Sequence, residues 1–222
     1  DLIKKLLSSS RIIFREYLQT FAIFEGSDFD IDKAVSNALD EINQIDFKKL
    51  IEIASPQPIL AKRHYHEYGS LRWFEVNLCP LSELETNINN FIAKIDVLGS
   101  YMLVIPTERE TKEFAQTNCT TIASTEKTNE VIIGLSMDTW EIVEIAKELL
   151  ALEYVYNNSI ELQGDRIARR EVITRLNDYQ TQLENKLSKS FDSAEWYSNK
   201  KVYKNLSQSD LSKMASDIAD KK

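Results

Sequence analysis

Two short runs of this chain are apolar at every position, which restricts what the chain can fold into. The first runs from Tyr101 to Ile105 and is stopped by Pro106, and the second runs from Val131 to Leu135 and is followed by Ser136. A strand that is apolar on both faces has to be covered on both, as happens in parallel sheets with helices on either side. Both runs are therefore predicted to be strands of a parallel sheet.

Helical patterns lie between these runs, as parallel connections require. A third β-forming run extends from Leu71 to Leu78, and apolar residues at helical spacing follow it from Leu84 to Ile95. Further helices are predicted over about 108–117 and from about residue 138. The alternation predicts a helix-rich α/β fold with a small, mainly parallel three- or four-stranded sheet flanked by helices. We assign this α/β unit to residues 56–138.

The chain has only 5 Gly and 4 Pro, so few turns and long helices are expected. An amphipathic stripe over residues 2–24 predicts a first helix, a second runs to about Ile45, and Asp46 caps a short third one. Ser55–Pro58 then breaks the chain, because proline cannot donate a backbone hydrogen bond and disfavours helix before it. Residues 1–55 are therefore predicted to form an N-terminal all-helical head.

The last third of the chain carries a seam that is typical of coiled coils. Apolar residues from Ile142 to Tyr156 repeat at alternating spacings of three and four, and a second such stripe follows the interruption at Gly164–Asp165. Two helices of this kind joined by a short turn form an antiparallel helical hairpin. We assign residues 139–222 to this hairpin and to C-terminal helices.

The composition excludes several classes of protein. With 27 Lys and Arg against 35 Asp and Glu, the net charge is -8, which argues against general binding to a nucleic-acid backbone. No apolar run approaches the ~20 residues of a membrane span. Nothing resembles a signal peptide, and two cysteines make no disulfide framework, so a cytoplasmic location is expected.

The ends and the glycines of the sequence bear on its activity. Because the chain begins at Asp1 inside a helical pattern and its last helix has no terminator before Lys221, we expect it to be a piece of a longer protein. The glycines lie at least thirty residues apart, so the clustered glycines of a Walker loop or a dinucleotide site are missing. We therefore expect no cofactor in this segment.

One basic segment interleaves cations with aromatic rings. It contains Arg63, His64, His66, Arg72 and Trp73. Such a segment would hold nucleic-acid phosphates on its cations while the rings stack on bases. The plainer interpretation is a solvated charged face, as most short basic runs are. Nucleic-acid contact by segment 62–73 is therefore kept as an alternative function.

Metal binding and nucleophilic catalysis are weaker interpretations of the same region. His64 and His66 would share a face on a strand, but the sequence lacks the paired ligand spacings that zinc sites use. Cys79 comes just before a predicted helix, where the helix dipole would favour a thiolate. Free cysteine is usually buried, so packing in the core is the favoured role of Cys79.

A second enzymatic alternative rests on the strand ends. Glu108 and Asp138 follow two of the predicted strands, where ligands of parallel sheets bind, and the two carboxylates would hold a divalent metal or act as acid and base. Both also sit at predicted helix starts, where such side chains cap the backbone. Capping is the favoured interpretation, and a divalent-metal-dependent enzyme stays an alternative.

Arg166, Arg169 and Arg170 cluster at the start of the second hairpin helix. Cations are mildly unfavourable at a helix N-terminus, so a cluster there is unusual. A carboxylate- or phosphate-bearing partner would explain it, because guanidinium groups bind such anions in a bidentate manner. The plainer account is pairing with neighbouring carboxylates such as Asp165 and Glu171.

Three stretches of the chain carry a resemblance to a known group of proteins. These are Lys62 to Val76, Asp165 to Glu171, and Leu211 to Ile218. They resemble stretches of very large bacterial P-loop ATP-binding proteins of phage-defence islands, of the BrxC and PglY types. The resemblance covers roughly residues 60–220, and the nucleotide-binding motif of those proteins does not lie in it.

The resemblance implies an internal domain outside the ATPase core, with ATP and magnesium bound elsewhere in the parent protein. Its partners would be other domains of the parent or separate proteins, and no membrane contact is expected. The leading hypothesis is therefore a non-catalytic interaction or regulatory domain of a large cytoplasmic ATP-binding protein, with a role in phage defence. If the hairpin is the interaction element, the arginines at its second helix are the candidate contacts.

Overall fold

We describe the protein from a computed structural model. The structure describes residues 2–8, 11–15, 19–23, 27, 29–42, 44–107, 110–125, 130–136 and 139–221. The chain forms two compact units, and each combines two separate stretches of sequence. Unit 1 contains residues 1–44 and 147–181, and unit 2 contains residues 45–146 and 182–222. The division of the chain into three consecutive segments, 1–55, 56–138 and 139–222, remains a prediction from the sequence.

The strands alternate with helices through the middle of the chain. In the described residues the strands are β1 Ile12–Arg15, β2 Thr20–Ile23, β3 Ile59–Leu60, β4 Trp73–Pro80, β5 Val97–Ile105, β6 Val131–Leu135, β7 Glu195–Ser198 and β8 Lys201–Tyr203. The helices are α1 Leu2–Ser8, α2 Ile31–Glu41, α3 Phe47–Ala54, α4 Lys62–Tyr68, α5 Leu84–Asn90, α6 Lys112–Ile122, α7 Thr139–Asn158, α8 Glu161–Gly164, α9 Arg166–Ser193 and α10 Gln208–Ala219. The helix-rich α/β class predicted from the sequence is confirmed.

The centre of the unit 2 sheet is parallel. β4 pairs in parallel with β5, and β5 with β6, with Tyr101 opposite both Val76 and Ile132. Every residue of β5 and β6 is buried, as the apolar runs Tyr101–Ile105 and Val131–Leu135 within them predict. The helix predicted over 108–117 is found slightly later as α6, where the Thr111 hydroxyl accepts a hydrogen bond from the amide of Phe114.

The sheet is larger and more mixed than the sequence analysis predicts. Its described strands follow the order β3-β4-β5-β6-β7-β8, and the pairings of β3 with β4, β6 with β7, and β7 with β8 are antiparallel. The prediction of three or four mainly parallel strands is therefore wrong in detail. The segment with Trp196, Tyr197 and Tyr203 forms a hairpin whose first strand extends the sheet by pairing with β6.

The two faces of this sheet have different cores. Helices α5 and α6 cover one face, where Met102 and Val104 pack with Leu84, Ile88 and both cysteines of the chain. The other face carries a chain of aromatic rings. Their centroids are 5.0 Å apart for Phe74 and Tyr101, 5.3 Å for Tyr101 and Trp196, and 4.9 Å for Phe191 and Trp196.

Gly134 makes room for this aromatic chain. A Cβ atom built on Gly134 would lie 2.5 Å from a ring carbon of Trp196, far inside van der Waals contact. Trp196 is fully buried over β6, and Tyr101 beside it donates a hydrogen bond of 2.7 Å to the backbone carbonyl of Leu211. Gly134 thus leaves space for the Trp196 ring of the antiparallel strand β7 to pack against β6.

Unit 1 corrects the prediction of an all-helical N-terminal head. The helix predicted over residues 2–24 ends as α1 at Ser8, and an antiparallel hairpin of β1 and β2 follows, with Phe14 opposite Phe21. Serine hydroxyls compete for backbone hydrogen bonds, which weakens the helix at the run of serines that begins with Ser8. The isoleucines and phenylalanines beyond it favour a strand.

The core of unit 1 lies among α2, α7 and α9. Val35 and Ala38 from α2 pack with Leu152 and Val155 from α7, and with Val172 from α9. The helices α7 and α9 confirm the two long helices predicted on either side of the interruption at Gly164–Asp165, although α7 and α9 each begin or end in unit 2. No helix in the described part of the chain combines the length and apolarity needed to cross a bilayer.

Candidate functional site

The basic segment 62–73 forms a helix whose cations are already paired. In α4 the Arg63 guanidinium lies 2.8 Å from the carboxylate of Asp217 on α10 and 2.5 Å from that of Asp220, the residue that follows α10. His64 Nδ1 donates a hydrogen bond of 2.8 Å to the second oxygen of Asp220. We call Arg63, His64, Asp217 and Asp220 the α4–α10 junction. Its carboxylates come from more than 150 positions further along the chain.

These contacts shift the pKa values of both Arg63 and Asp220. Hydrogen bonds to Asp217 and then Asp220 raise the pKa of Arg63 above its ordinary value. The hydrogen bond from His64, followed by that from Arg63, lowers the pKa of Asp220. Arg63 and Asp220 are thus both held in their charged forms, and the junction is a cluster of ion pairs within unit 2.

The other predicted contacts of this segment do not converge on one surface. Since segment 62–68 is a helix and not a strand, His66 points away from His64 and lies exposed. Arg72 pairs with Asp96 at 3.3 Å, and Trp73 is half-buried opposite Leu60 of β3. The structure therefore places a carboxylate beside both Arg63 and Arg72, and this weakens the attraction of segment 62–73 for phosphates.

The cysteines and the strand ends offer little accessible chemistry. Cys79 and Cys119 are both buried, and burial raises the pKa of both thiols, that of Cys119 to about 12. Ser136, at the end of β6, is buried as well. Glu108 and Asp138, the candidate metal-binding carboxylates, lie outside the described residues, so their role stays a prediction. Among the residues that the structure describes, no cluster of His, Cys, Asp and Glu is suited to hold a metal.

One polar network inside unit 2 serves the fold. Glu195 accepts hydrogen bonds from Gln116 at 2.8 Å and from the Tyr197 hydroxyl at 2.9 Å, and Lys204 lies 2.9 Å from its other oxygen. Although burial acts in the opposite direction, these donors, led by Lys204, lower the pKa of Glu195. The network ties α6 to the β7–β8 hairpin and engages both oxygens of the carboxylate.

The arginines at the start of α9 meet a different environment. Arg166, Arg169 and Arg170 are all exposed, and we call them the arginine surface. The Arg169 guanidinium lies 5.4 Å from the ring centroid of Tyr156 and donates a hydrogen bond of 3.1 Å to its hydroxyl. Tyr156 is a neutral partner, so this contact orients the arginine and leaves its positive charge uncompensated.

The two carboxylates that flank these arginines in the sequence, Asp165 and Glu171, interact with other groups. Asp165 caps α9, since one of its oxygens accepts the amides of Ile167 and Ala168 while the other accepts the hydroxyl of Ser27 at 2.6 Å. These hydrogen bonds, led by that of Ser27, lower the pKa of Asp165. Glu171 lies 3.2 Å from Arg175, one turn further along α9.

Within the described part of the chain, Arg166 and Arg169 form no ion pair. The pairing with Asp165 and Glu171 that the plainer interpretation of the sequence assumes is therefore not what surrounds these two arginines. A surface with two uncompensated guanidinium groups is chemically suited to bind carboxylates or phosphates.

Unit 2 also carries two adjoining cavities that no feature of the sequence predicts. One, of about 420 Å³, lies between β4 and the unit 2 part of α9, and the other, of about 600 Å³, lies between β3, α4 and α10. They share Gln57, Ile59 and Gln208. Because the walls come from segments up to about 150 residues apart, no local pattern could have indicated them.

A scan against protein-family models, a search of curated proteins and a search of solved structures each found no match to this chain.

Proposed function

We propose that this chain is a non-catalytic interaction domain of a large bacterial ATP-binding protein of the cytoplasm, and that the arginine surface of unit 1 is its contact with an acidic protein surface. The observation that carries the proposal is the state of Arg166 and Arg169, which are exposed and lack a carboxylate partner among the described residues. Guanidinium groups in this state favour a bidentate contact with carboxylates supplied by another surface.

The position of the arginines gives further support to a binding role. A cation at the first turn of a 28-residue helix meets the positive end of the helix dipole, so the surface costs some helix stability. Cations that serve only helix stability would be expected in the last turn of the helix, and α9 has none there. The parent protein and its role in phage defence come from the sequence resemblance.

Charge reversal tests the contact. A tagged copy of this chain is co-expressed with the rest of the protein that its reading frame encodes, and co-purification measures their association. Arg166→Glu, Arg169→Glu and Arg170→Glu together should abolish co-purification, because attraction to an acidic surface becomes repulsion. The matched control replaces Lys200 and Lys201, two exposed cations of the β7–β8 hairpin, by glutamate.

The control should co-purify as the wild type does. Association that survives reversal of the arginine surface, or that is lost equally in the control, would remove the basis of the proposal. The proposed parent protein is tested separately, by the sequence of the reading frame on both sides of this chain. A G-x-x-x-x-G-K-[ST] loop before this segment supports an accessory domain of an ATPase, and flanks without nucleotide-binding motifs contradict it.

A further inference from the structure

The unit 2 cavity between β4 and α9 is lined as small-molecule sites usually are, by apolar side chains with a few polar groups. We call it the β4–α9 cavity. Its apolar wall is formed by Ala54, Pro56, Ile59, Val76, Leu78, Leu187 and Phe191. Its volume of about 420 Å³ is at the lower end of the range of ligand pockets, so it suits a ligand no larger than an aromatic ring with a short side chain.

The polar residues of this cavity lie at its rim. Four of them are exposed neutral side chains, Ser55, Gln57, Ser188 and Gln208. Glu184 is exposed as well, and it is the one ionisable group among the described residues that line the cavity. The cations of this region, Lys62, Arg63 and Lys213, line the neighbouring cavity and not this one. The charged group that a ligand of the β4–α9 cavity meets is therefore a carboxylate.

A helix end adds to this negative charge. Helix α3 ends at the cavity, since Ala54 and the C-cap residue Ser55 both line it. The carbonyl end of a helix carries a partial negative charge, and the last turn of α3 has no basic residue to offset it. That turn contains the exposed Glu52 instead. A positively charged ligand is therefore complementary to the rim, and an anionic ligand is disfavoured.

We propose that the β4–α9 cavity binds a small organic amine. The apolar body of the amine lies against Val76, Leu78 and Phe191, and its ammonium group donates a charge-assisted hydrogen bond to the carboxylate of Glu184. The cavity lies in unit 2 and the arginine surface in unit 1, so this site goes beyond the proposed function. Its test is independent of the co-purification experiment for the same reason.

Three probes with similar apolar bodies and different polar groups test the charge of the ligand. They are phenethylamine, phenethyl alcohol and hydrocinnamate, each titrated into the full 222-residue chain with isotope-labelled methyl groups and followed by NMR. Phenethylamine should shift the methyl signals of Val76, Leu78 and Leu187. It should bind about tenfold more tightly than the alcohol, because its hydrogen bond to Glu184 is charge-assisted. Hydrocinnamate should bind most weakly.

Three variants locate the site. Glu184→Gln should reduce the affinity for phenethylamine to that for the alcohol and leave the affinity for the alcohol unchanged. The matched control, Asp192→Asn, removes an exposed carboxylate of α9 that does not line the cavity, and all three affinities should stay as in the wild type. Ser188→Trp places a large ring into the cavity from an exposed position and should weaken the amine and the alcohol alike.

The thermal midpoints of these variants show whether they fold, and the exposed Glu184→Gln and Asp192→Asn pair decides the outcome if Ser188→Trp does not. Binding of phenethylamine without shifts of the cavity methyl groups would overturn the proposal, because the amine would then bind elsewhere. The same conclusion would follow from an acid that binds as tightly as the amine, from a preference for the amine that survives Glu184→Gln, or from no binding of phenethylamine at millimolar concentration.

Discussion

The α4–α10 junction and the start of α9 are both rich in basic residues, yet they use arginine in opposite ways. Arg63 lies 2.8 Å from the carboxylate of Asp217 on α10 and 2.5 Å from that of Asp220 just after α10, whereas Arg169 lies against the ring of Tyr156. In the first region the guanidinium connects two helices of one unit. In the second region it stays charged and exposed, which is why we assign binding to the second region and a structural role to the first.

Arg175 extends this comparison within unit 1. It belongs to the same helix as the arginine surface, but its side chain is only 11% exposed and lies 2.5 Å from Asp32 and 3.2 Å from Glu171. The arginines of one helix thus divide into one that joins α9 to α2 and others that face solvent. Among the described residues, carboxylates of α2 and α9 lie beside Arg175, whereas Arg166 and Arg169 have no such partner.

Removal of Arg175 should have the largest effect on stability. Arg175→Ala leaves Glu171, 12% exposed, without this partner and should lower the free energy of unfolding by about 2 kcal/mol. Urea denaturation measures the loss as a shift in midpoint at unchanged slope. A loss below ~0.5 kcal/mol, the usual range for exposed positions, would show that Arg175 does not differ from the surface arginines.

A pH series tests the α4–α10 junction. Because the pKa of Asp220 is lowered in the folded state, its contribution is fully present above the ordinary carboxyl value of 3.8 and is lost as pH falls through the folded value. Asp220→Asn should therefore be less stable than the wild type near pH 6, and the two should converge as the pH falls below the lowered pKa of Asp220. The difference should be smaller than that for Arg175→Ala, since the junction is partly exposed. A gap between the two proteins that stays constant with pH would contradict a charged role for Asp220.

The contact between Arg169 and Tyr156 should have a smaller effect. Arg169→Ala removes an exposed cation–π contact and should cost about 0.5 kcal/mol of stability. Tyr156→Phe keeps the ring and removes the hydroxyl, so it separates the hydrogen bond of 3.1 Å from the ring contact. A larger loss in thermal or urea midpoint for Arg169→Ala than for Arg175→Ala would reverse the comparison.

Arg166 should contribute least to the fold. Arg166→Ala is expected to change the free energy of unfolding by less than about 0.5 kcal/mol, because the Arg166 side chain is exposed. The substitution also removes an unfavourable positive charge from the helix N-terminus. A slight increase in the urea midpoint is the expected direction. A clear decrease would indicate a structural contact that the arginine surface does not include.

The sequence predicts those parts of the fold that depend on local pattern. The uniformly apolar runs identify β5 and β6, and the apolar stripes identify α7 and α9. The flank of the sheet could not be predicted, because Trp196 pairs with Gly134 across more than sixty residues. The sequence does not indicate the N-terminal hairpin, because the apolar residues of β1 and β2 also fit a helical spacing.

The same distinction holds for the candidate sites. The residue types of the arginine surface and of segment 62–73 could be identified from the sequence, but their electrostatic state could not. Whether Arg63 is neutralised depends on Asp220, 157 positions away, and whether Arg169 is neutralised depends on the use of Asp165 as a cap. The cavity between β3, α4 and α10 depends on α10 packing beside β3, where Ser212 donates a hydrogen bond to the carbonyl of Leu60 at 2.6 Å.

Arginine-selective labelling with phenylglyoxal, read by mass spectrometry, tests the central claim most directly. In the isolated chain Arg166 and Arg169 should react quickly and Arg175 slowly. In the assembled parent protein the first two should become protected, while Arg175 keeps its slow rate. Arg166 and Arg169 that remain as reactive in the assembly as in the isolated chain would contradict the assignment of this surface to a partner.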